Sequence, residues 1–200
     1  MILVGIAGGT GSGKSTIAKK IQEAFPSGQA VIIEQDAYYC NQSHLSLPER
    51  IKTNYDHPNS IEFSLLIDHI NQLKNNLPIK KPAYDFTQHT RLAKDEIVKP
   101  AKILIVEGIL IFAIKQLREL FDIRVFVETD ADERLLRRIE RDIRDRGRSF
   151  SEIKNQYLQT VKPMYLEFVE PNKRYADMIV PRGGENQVAI DMIINKLRKH

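Results

Sequence analysis

Nothing in this sequence constrains the chain more than Gly8-Gly-Thr-Gly-Ser-Gly-Lys-Ser-Thr16. Gly8, four residues, then Gly13-Lys14-Ser15 is the spacing of a phosphate-binding P-loop. A polyphosphate needs many donors at short range, and glycines let the backbone turn its N–H groups inward without a Cβ in the way. Gly8, Gly9, Thr10, Gly11, Ser12, Gly13, Lys14, Ser15 and Thr16 are therefore the expected contacts to a nucleoside triphosphate. Lys14 would reach the β- and γ-phosphates, and the Ser15 hydroxyl would hold a magnesium ion. The flanks agree: Ile2 to Ala7 reads as a buried strand, and Ser15 to Phe25 as a helix presenting its positive end to the phosphates.

Two hundred residues suit one domain with a substantial core. A composition of 42% hydrophobic and 28% charged residues is that of an ordinary globular protein. The formal charge of +4 suits anionic small ligands and is too small to imply nucleic-acid binding. Cys40 is the sole cysteine, which excludes an internal disulfide and reads as a bystander thiol. The first apolar run ends at Gly8 without a basic leader, so neither a signal peptide nor a membrane span is expected, and the expected location is the cytoplasm.

Further along, Ala30 to Glu34 reads as a second strand with Gln35-Asp36 just past its end, the edge where parallel α/β sheets bind ligands. A long polar loop to Ser60 carries Tyr38, Tyr39, Tyr55, Asp56 and His57. Ser60 is the expected N-cap of a helix with Ile61, Leu65, Leu66, Ile70 and Leu73 along one stripe. Residues 78–98 read as a hairpin-like insertion around Tyr84 to His89. Ala101 to Gly108 is a buried strand ending on Glu107, an acid in the Walker-B arrangement that helps place magnesium. Leu110 to Leu120 is expected to be helical, and Ile123 to Glu128 a further strand.

Asp130 and Glu133 suggest a capping-box start for a helix that stops at Gly147. It carries Arg134, Arg137, Arg138, Arg141, Arg144 and Arg146, with Arg148 beyond. Glu133, Glu140, Asp142 and Asp145 are interleaved, as on a solvated face. Arg134, Arg138, Arg141 and Arg148 nevertheless fall to one side, where guanidinium groups could clamp phosphates. Phe150 to Phe168 reads as a helix kinked near Pro163, followed by a last strand at Tyr175 to Val180 and a final amphipathic helix. Five strands alternating with helices predict an α/β fold of the P-loop NTPase type, a five-stranded parallel sheet covered on both faces.

Asp36 could accept a proton from an attacking hydroxyl, and the arginine-rich helix could close over the phosphates and exclude water. No Asn-Lys-x-Asp guanine-reading element follows the later strands, which argues against a GTP switch. The P-loop, Gln-Asp-Ala-Tyr-Tyr at 35–39, Asn-Tyr-Asp-His-Pro at 54–58, Pro-Ala-Tyr-Asp-Phe at 82–86, Val-Glu-Gly-Ile-Leu at 106–110, Arg-Arg-Ile-Glu-Arg-Asp at 137–142, Arg-Gly-Arg at 146–148 and Tyr-Ala-Asp-Met-Ile-Val-Pro-Arg-Gly at 175–183 together resemble the uridine kinase (uridine–cytidine kinase) family over essentially the whole chain.

That resemblance implies transfer of the γ-phosphate of ATP or GTP, with magnesium, to the 5′-hydroxyl of uridine or cytidine. It implies Asp36 as general base and Asp56 as the carboxylate on the ribose hydroxyls. Arg138 and Gln156 match sugar-contacting positions, and Tyr84 and His89 face the pyrimidine, with Tyr39 also at the substrate. Arg141 and Arg148 match lid arginines, Ser15 and Glu107 the magnesium site, and Glu185 a turn near the adenine. One domain, residues 1–200, with a nucleoside-pocket insertion at 78–98 and a lid helix at 131–148, is the implied organisation. A homotetramer and feedback inhibition by CTP or UTP are implied as well. His44, His57, His69 and His200 show no metal-ligand spacing. The rivals are a kinase of the same architecture acting on phosphoribulose or pantothenate, and a regulator that binds nucleotide without turnover.

Overall fold

The computed structural model describes residues 1–199, so His200 lies outside the described residues. In chain order the elements are β1 (Ile2–Gly8), α1 (Lys14–Glu23), β2 (Ala30–Glu34), α2 (Leu47–Ile51), α3 (Phe63–Lys74), β3 (Ile79–Lys81), β4 (Tyr84–Asp85), β5 (Thr90–Arg91) and β6 (Glu96–Val98). They continue with β7 (Ile103–Gly108), α4 (Lys115–Arg118), β8 (Ile123–Glu128), α5 (Ala131–Arg146), α6 (Phe150–Gln156), α7 (Lys162–Met164), β9 (Met178–Pro181) and α8 (Gln187–Arg198). The main sheet is wholly parallel, in the order β2-β7-β1-β8-β9.

β1 and β7 are apolar at nearly every position because both of their faces are covered. Alternation then sorts their side chains. Leu3 and Leu104 join Leu66, Ile70, Phe112 and Phe126 on one face. Val4, Ile6 and Ile105 join Ile17, Ile21, Ile190 and Ile193 on the other. Register brings the ends into line: Ile6 pairs with Glu107, and Glu34 also pairs with Glu107. The P-loop, Asp36 and Glu107 consequently share the C-terminal edge of the sheet.

The insertion is two short antiparallel pairs, β3 with β6 and β4 with β5. Lys81 pins it to the sheet through Glu34 at 2.8 Å and pairs across its own β3–β6 ladder with Glu96 at 3.1 Å. Arg91 pins it to the loop after β2, donating to the Tyr39 carbonyl at 2.7 Å and pairing with Glu62 at 2.7 Å.

Several local expectations fail. Leu110 to Leu120 is mostly a turn, with helix only at α4, because Leu110, Ile111 and Phe112 are all buried and offer no polar face. Ser60 does not cap α3, which starts at Phe63; its hydroxyl donates to the Tyr55 and His57 carbonyls and closes the preceding turn. Asp130 stands at the N-cap of α5 but makes no capping bond: the Glu133 N–H donates to Asp132 Oδ1 at 2.9 Å, and the Glu133 carboxylate pairs with Arg137 at 3.0 Å instead of reaching back. A capping box forms instead at Ser149 and Glu152. The 150–168 segment stays helical through Pro163 by widening into π-helix at Tyr157–Val161 and Tyr165–Val169, which relieves the proline's clash. No helix among the described residues is long and apolar enough to cross a membrane.

Candidate active site

One cleft at the C-terminal edge of the sheet gathers side chains from the P-loop, the ends of β2 and β7, the loop before α3, the insertion, α5 with the turn after it, and α6. Thr10, Lys14, Ser15, Asp36, Tyr39, Asp56, Tyr84, His89, Glu107, Arg138, Arg141, Arg148 and Gln156 all line it. So do Tyr55, Phe86, Ile109 and Arg146, which the motifs did not single out as site residues.

Around the P-loop the backbone sets the shape of the cleft. Gly11 and Gly13 have φ of 75° and 93°, a left-handed region that Cβ-bearing residues avoid. A Cβ on Gly11 would also run into the Arg134 carbonyl. Lys14 is buried and donates to the Gly9 carbonyl at 3.2 Å, spanning the loop it belongs to. Burial pulls its pKa down, while Glu107 and Asp36 nearby oppose that. The Ser15 hydroxyl donates to Glu107 Oε1 at 2.7 Å. Burial also raises the Glu107 carboxyl above its ordinary range, Lys14 opposing and Asp36 reinforcing.

Ser15 and Glu107 thus touch at the place where a divalent cation was expected. The donor set is all oxygen, as a hard cation requires, and Glu107 is a buried carboxylate short of positive partners. Among the described residues no group of three His, Cys, Asp or Glu side chains forms a cage. The residues therefore fit magnesium completed by phosphate and water rather than an all-protein site.

The rest of the cleft is built from side chains. Arg138 is buried, donating to Thr10 Oγ1 at 3.3 Å and to Gln156 Oε1 at 2.8 Å. Gln156 Oε1 also accepts from Arg148 at 2.9 Å, tying α5 to α6. Burial raises the Asp56 carboxyl, Arg138 working against that and Asp36 with it. Tyr39 packs on Tyr55 and Tyr84 with ring centroids 5.1 and 5.0 Å apart, and Tyr55 stacks on His89 at 5.1 Å. Burial, followed by Arg148 and Arg146, lowers the His89 pKa, so the ring is neutral near pH 7. Arg148 Nη2 lies 3.4 Å from His89 Nε2. A guanidinium only donates, so Nε2 accepts and the ring proton sits on Nδ1.

The arginine helix divides differently from its sequence pattern. Arg134 does not line the cleft: it donates to the Thr129 carbonyl at 3.0 Å and lies over the Tyr165 ring, bracing the P-loop from behind. Arg146 does line it, its guanidinium 4.6 Å from the centre of the Phe86 ring. Asp142, read as part of a solvated face, is fully buried. The i, i+4 spacing of Arg138, Asp142 and Arg146 was the available clue. Glu185 stands outside the cleft, exposed and 3.2 Å from Arg137, just after Gly183 and Gly184 pack on Ser12 and Thr16. Burial raises the Cys40 thiol, which disfavours a nucleophilic role.

Comparisons with known proteins address the family and the fold. Residues 3–189 match the model of the "Phosphoribulokinase / Uridine kinase family". A uridine kinase of Clostridium tetani is 53% identical over 99% of this chain and 95% of its own length. One from Halalkalibacterium halodurans is 52% identical over 98% and 93%. Among solved structures, a "Possible Uridine Kinase" from Bacillus stearothermophilus superposes with a TM-score of 0.57 at 20% identity, covering 90% of this chain and 88% of that one. The D-glycerate 3-kinase of Cryptococcus neoformans reaches 0.63 at 14% identity over 86% and 79%. These two support the fold alone. On the full-length match and the close relatives, the chain belongs to the phosphoribulokinase/uridine kinase family and is a phosphotransferase.

Proposed function

We propose that this enzyme transfers the γ-phosphate of ATP or GTP to the 5′-hydroxyl of uridine or cytidine, giving UMP or CMP. The observation that carries the reading is that one cleft is lined by Lys14, Ser15 and Glu107 of the P-loop side and by Asp56, Tyr84 and His89, with Asp36 close enough to act electrostatically on Lys14 and Glu107 as well as on Asp56 and Tyr39. A phosphate site on the P-loop and an aromatic, hydroxyl-binding site in the same cleft would put donor and acceptor within reach of the Asp36 carboxylate. The family and the uridine kinase relatives support the same choice of acceptor.

In this reading the P-loop N–H groups and Lys14 bind the β- and γ-phosphates. Asp56 accepts hydrogen bonds from the vicinal ribose hydroxyls, Arg138 and Gln156 hold the sugar, and Tyr39, Tyr84 and His89 enclose the base. Asp36 takes the 5′-hydroxyl proton as the oxygen attacks phosphorus. Arg141 and Arg148 balance the charge spreading over the transferring group, and α5 with residues 147–148 acts as a lid that excludes water. Magnesium, held by Ser15 and Glu107, would neutralise the phosphate oxygens. Glu185 borders the donor's base. Residues 78–98 form the nucleoside side of a single domain. A homotetramer, feedback by CTP or UTP and a cytoplasmic setting belong to the same proposal and rest on family membership.

The test is a steady-state assay with magnesium, ATP or GTP, and a panel of nucleosides, phosphoribulose and pantothenate. Turnover confined to uridine and cytidine is expected. Nucleotide binding without turnover, or turnover of an acyclic acceptor, would overturn the reading.

A further inference from the structure

Asp142 is fully buried near the C-terminal end of α5, and four guanidinium groups surround it. Its Oδ1 accepts from Arg141 Nε at 2.9 Å and from Arg141 Nη2 at 2.8 Å. Arg146 Nη1 stands 3.4 Å from the same oxygen. Oδ2 has Arg148 Nη1 at 3.5 Å and Arg138 Nε at 3.6 Å. Arg138 Nε and Asp142 Oδ2 are both buried and lack hydrogen-bond partners, so a small inward shift of either would satisfy both. Separately, the Asp142 carbonyl accepts from the Gly147 and Arg148 N–H groups and ends the helix. A side-chain change leaves that main-chain cap in place.

A guanidinium has five N–H donors in a rigid plane. Asp142 engages the Nε–Nη2 edge of Arg141 and leaves three donors on a group that lines the cleft. An aspartate serving only to fill space or neutralise charge would not need that edge-on grip. We infer that Asp142 is a positioning residue: it fixes the Arg141 guanidinium edge-on, so that the remaining donors meet the transferring phosphate in one orientation. The inference rests on the proposed phosphoryl transfer. Asp142 touches neither substrate and acts through Arg141, with Arg146 and Arg148 held by the same carboxylate.

The test compares wild type and Asp142→Asn, assayed with Mg·ATP and uridine per folded molecule. The substitution keeps the shape, removes the negative charge and cannot accept as strongly. Because Asp142 competes with phosphate for the same guanidiniums, KM for ATP should stay level or fall. Lost orientation should lower kcat about 10- to 100-fold. In an Arg141→Lys background the same change should cost no more than about threefold further. A kcat within about threefold of wild type, or losses that simply multiply in the double variant, would overturn the inference. A raised KM at unchanged kcat would do so too. Should Asp142→Asn not fold, the Arg141 Nε–H resonance of the wild-type protein decides. A sharp, slowly exchanging signal, present without nucleotide and retained with a non-hydrolysable Mg·ATP analogue, is expected; a signal broadened by exchange in both states would overturn it. Wild-type failure on uridine would instead sink the functional reading, and that resonance would still report on Asp142.

Discussion

In the proposed reading, the phosphate and nucleoside parts of the cleft hold their cargo by different means. At the phosphate end the main chain is the instrument: glycines with positive φ, a loop closed on Lys14, and a helix N-terminus. At the nucleoside end the main chain only delivers side chains, and Arg138, Gln156, Arg148 and His89 form a chain of hydrogen bonds between distant segments. A backbone site fails when a Cβ is added, whereas a side-chain site fails when one polar atom is removed. The contrast predicts which substitutions damage which half of the reaction.

Asp36 lines the same cleft as the proposed base, and the largest effect is expected there. Asp36→Asn should lower kcat roughly 10²- to 10⁴-fold, the usual contribution of a general base, with little change in KM for either substrate. Stopped-flow or steady-state rates measure it; an unchanged kcat would mean that Asp36 is not the base.

Asp56 tests the side-chain end. Asp56→Asn should lower kcat/KM for the ribonucleoside about 10- to 150-fold, the worth of a charge-assisted hydrogen bond or two. Its discrimination against 2′-deoxynucleosides should shrink in parallel. The same change should stabilise the ligand-free protein. Burial raises the folded-state pKa of Asp56 above the unfolded one, so the native chain binds the extra proton between those two values. Stability from this group therefore falls as pH rises through that window, and the ionised form is a net burden above it. Melts near neutral pH should place Asp56→Asn above wild type, with the gap closing as pH drops toward about 4.

Gly11→Ala tests the backbone end. The added Cβ meets a φ of 75° and the Arg134 carbonyl, and strain of this kind costs about 1–3 kcal/mol. At about 2–4 °C per kcal/mol for a chain of this size, Tm should fall by about 2–12 °C, and KM for the donor should rise. If Tm holds while only kcat drops, the loop is less rigid than its geometry implies.

The same contrast explains what could be read without coordinates. The P-loop is a contiguous, local device, so its spacing alone located Lys14 and Ser15. Asp36 and Glu107 followed because strand ends in a parallel sheet share an edge, and the register bears this out. At the other end, Asp56, His89, Arg148 and Gln156 meet only through tertiary packing; their grouping came from family resemblance, and the cleft does bring them together. Asp142 escaped notice because helix charges usually face water, and sequence spacing does not reveal burial. Arg134 was misjudged for the converse reason: its position on the helix matched the clamp, but its guanidinium turns back to Thr129 and Tyr165. The failed N-cap at Ser60 shows a hydroxyl taken by nearer carbonyls, and that at Asp130 shows its target, the Glu133 N–H, taken by the neighbouring Asp132.

The smallest expected effect concerns the base. Arg148 fixes His89 as an Nδ1–H tautomer by donating to Nε2, and burial keeps the ring neutral. The nitrogen left for the pyrimidine is then a donor, which suits the O4 carbonyl of uracil better than the amino group of cytosine. Arg148→Met releases Nε2 and lets either tautomer form. The overall rate should fall for both nucleosides because Arg148 also braces Gln156. Their ratio carries the sharper information: kcat/KM for cytidine over uridine should rise about 2- to 10-fold, the value of one neutral hydrogen bond. Equal losses for both nucleosides would show that Arg148 acts on the sugar and phosphate alone, and that the tautomer of His89 is set by something other than this contact.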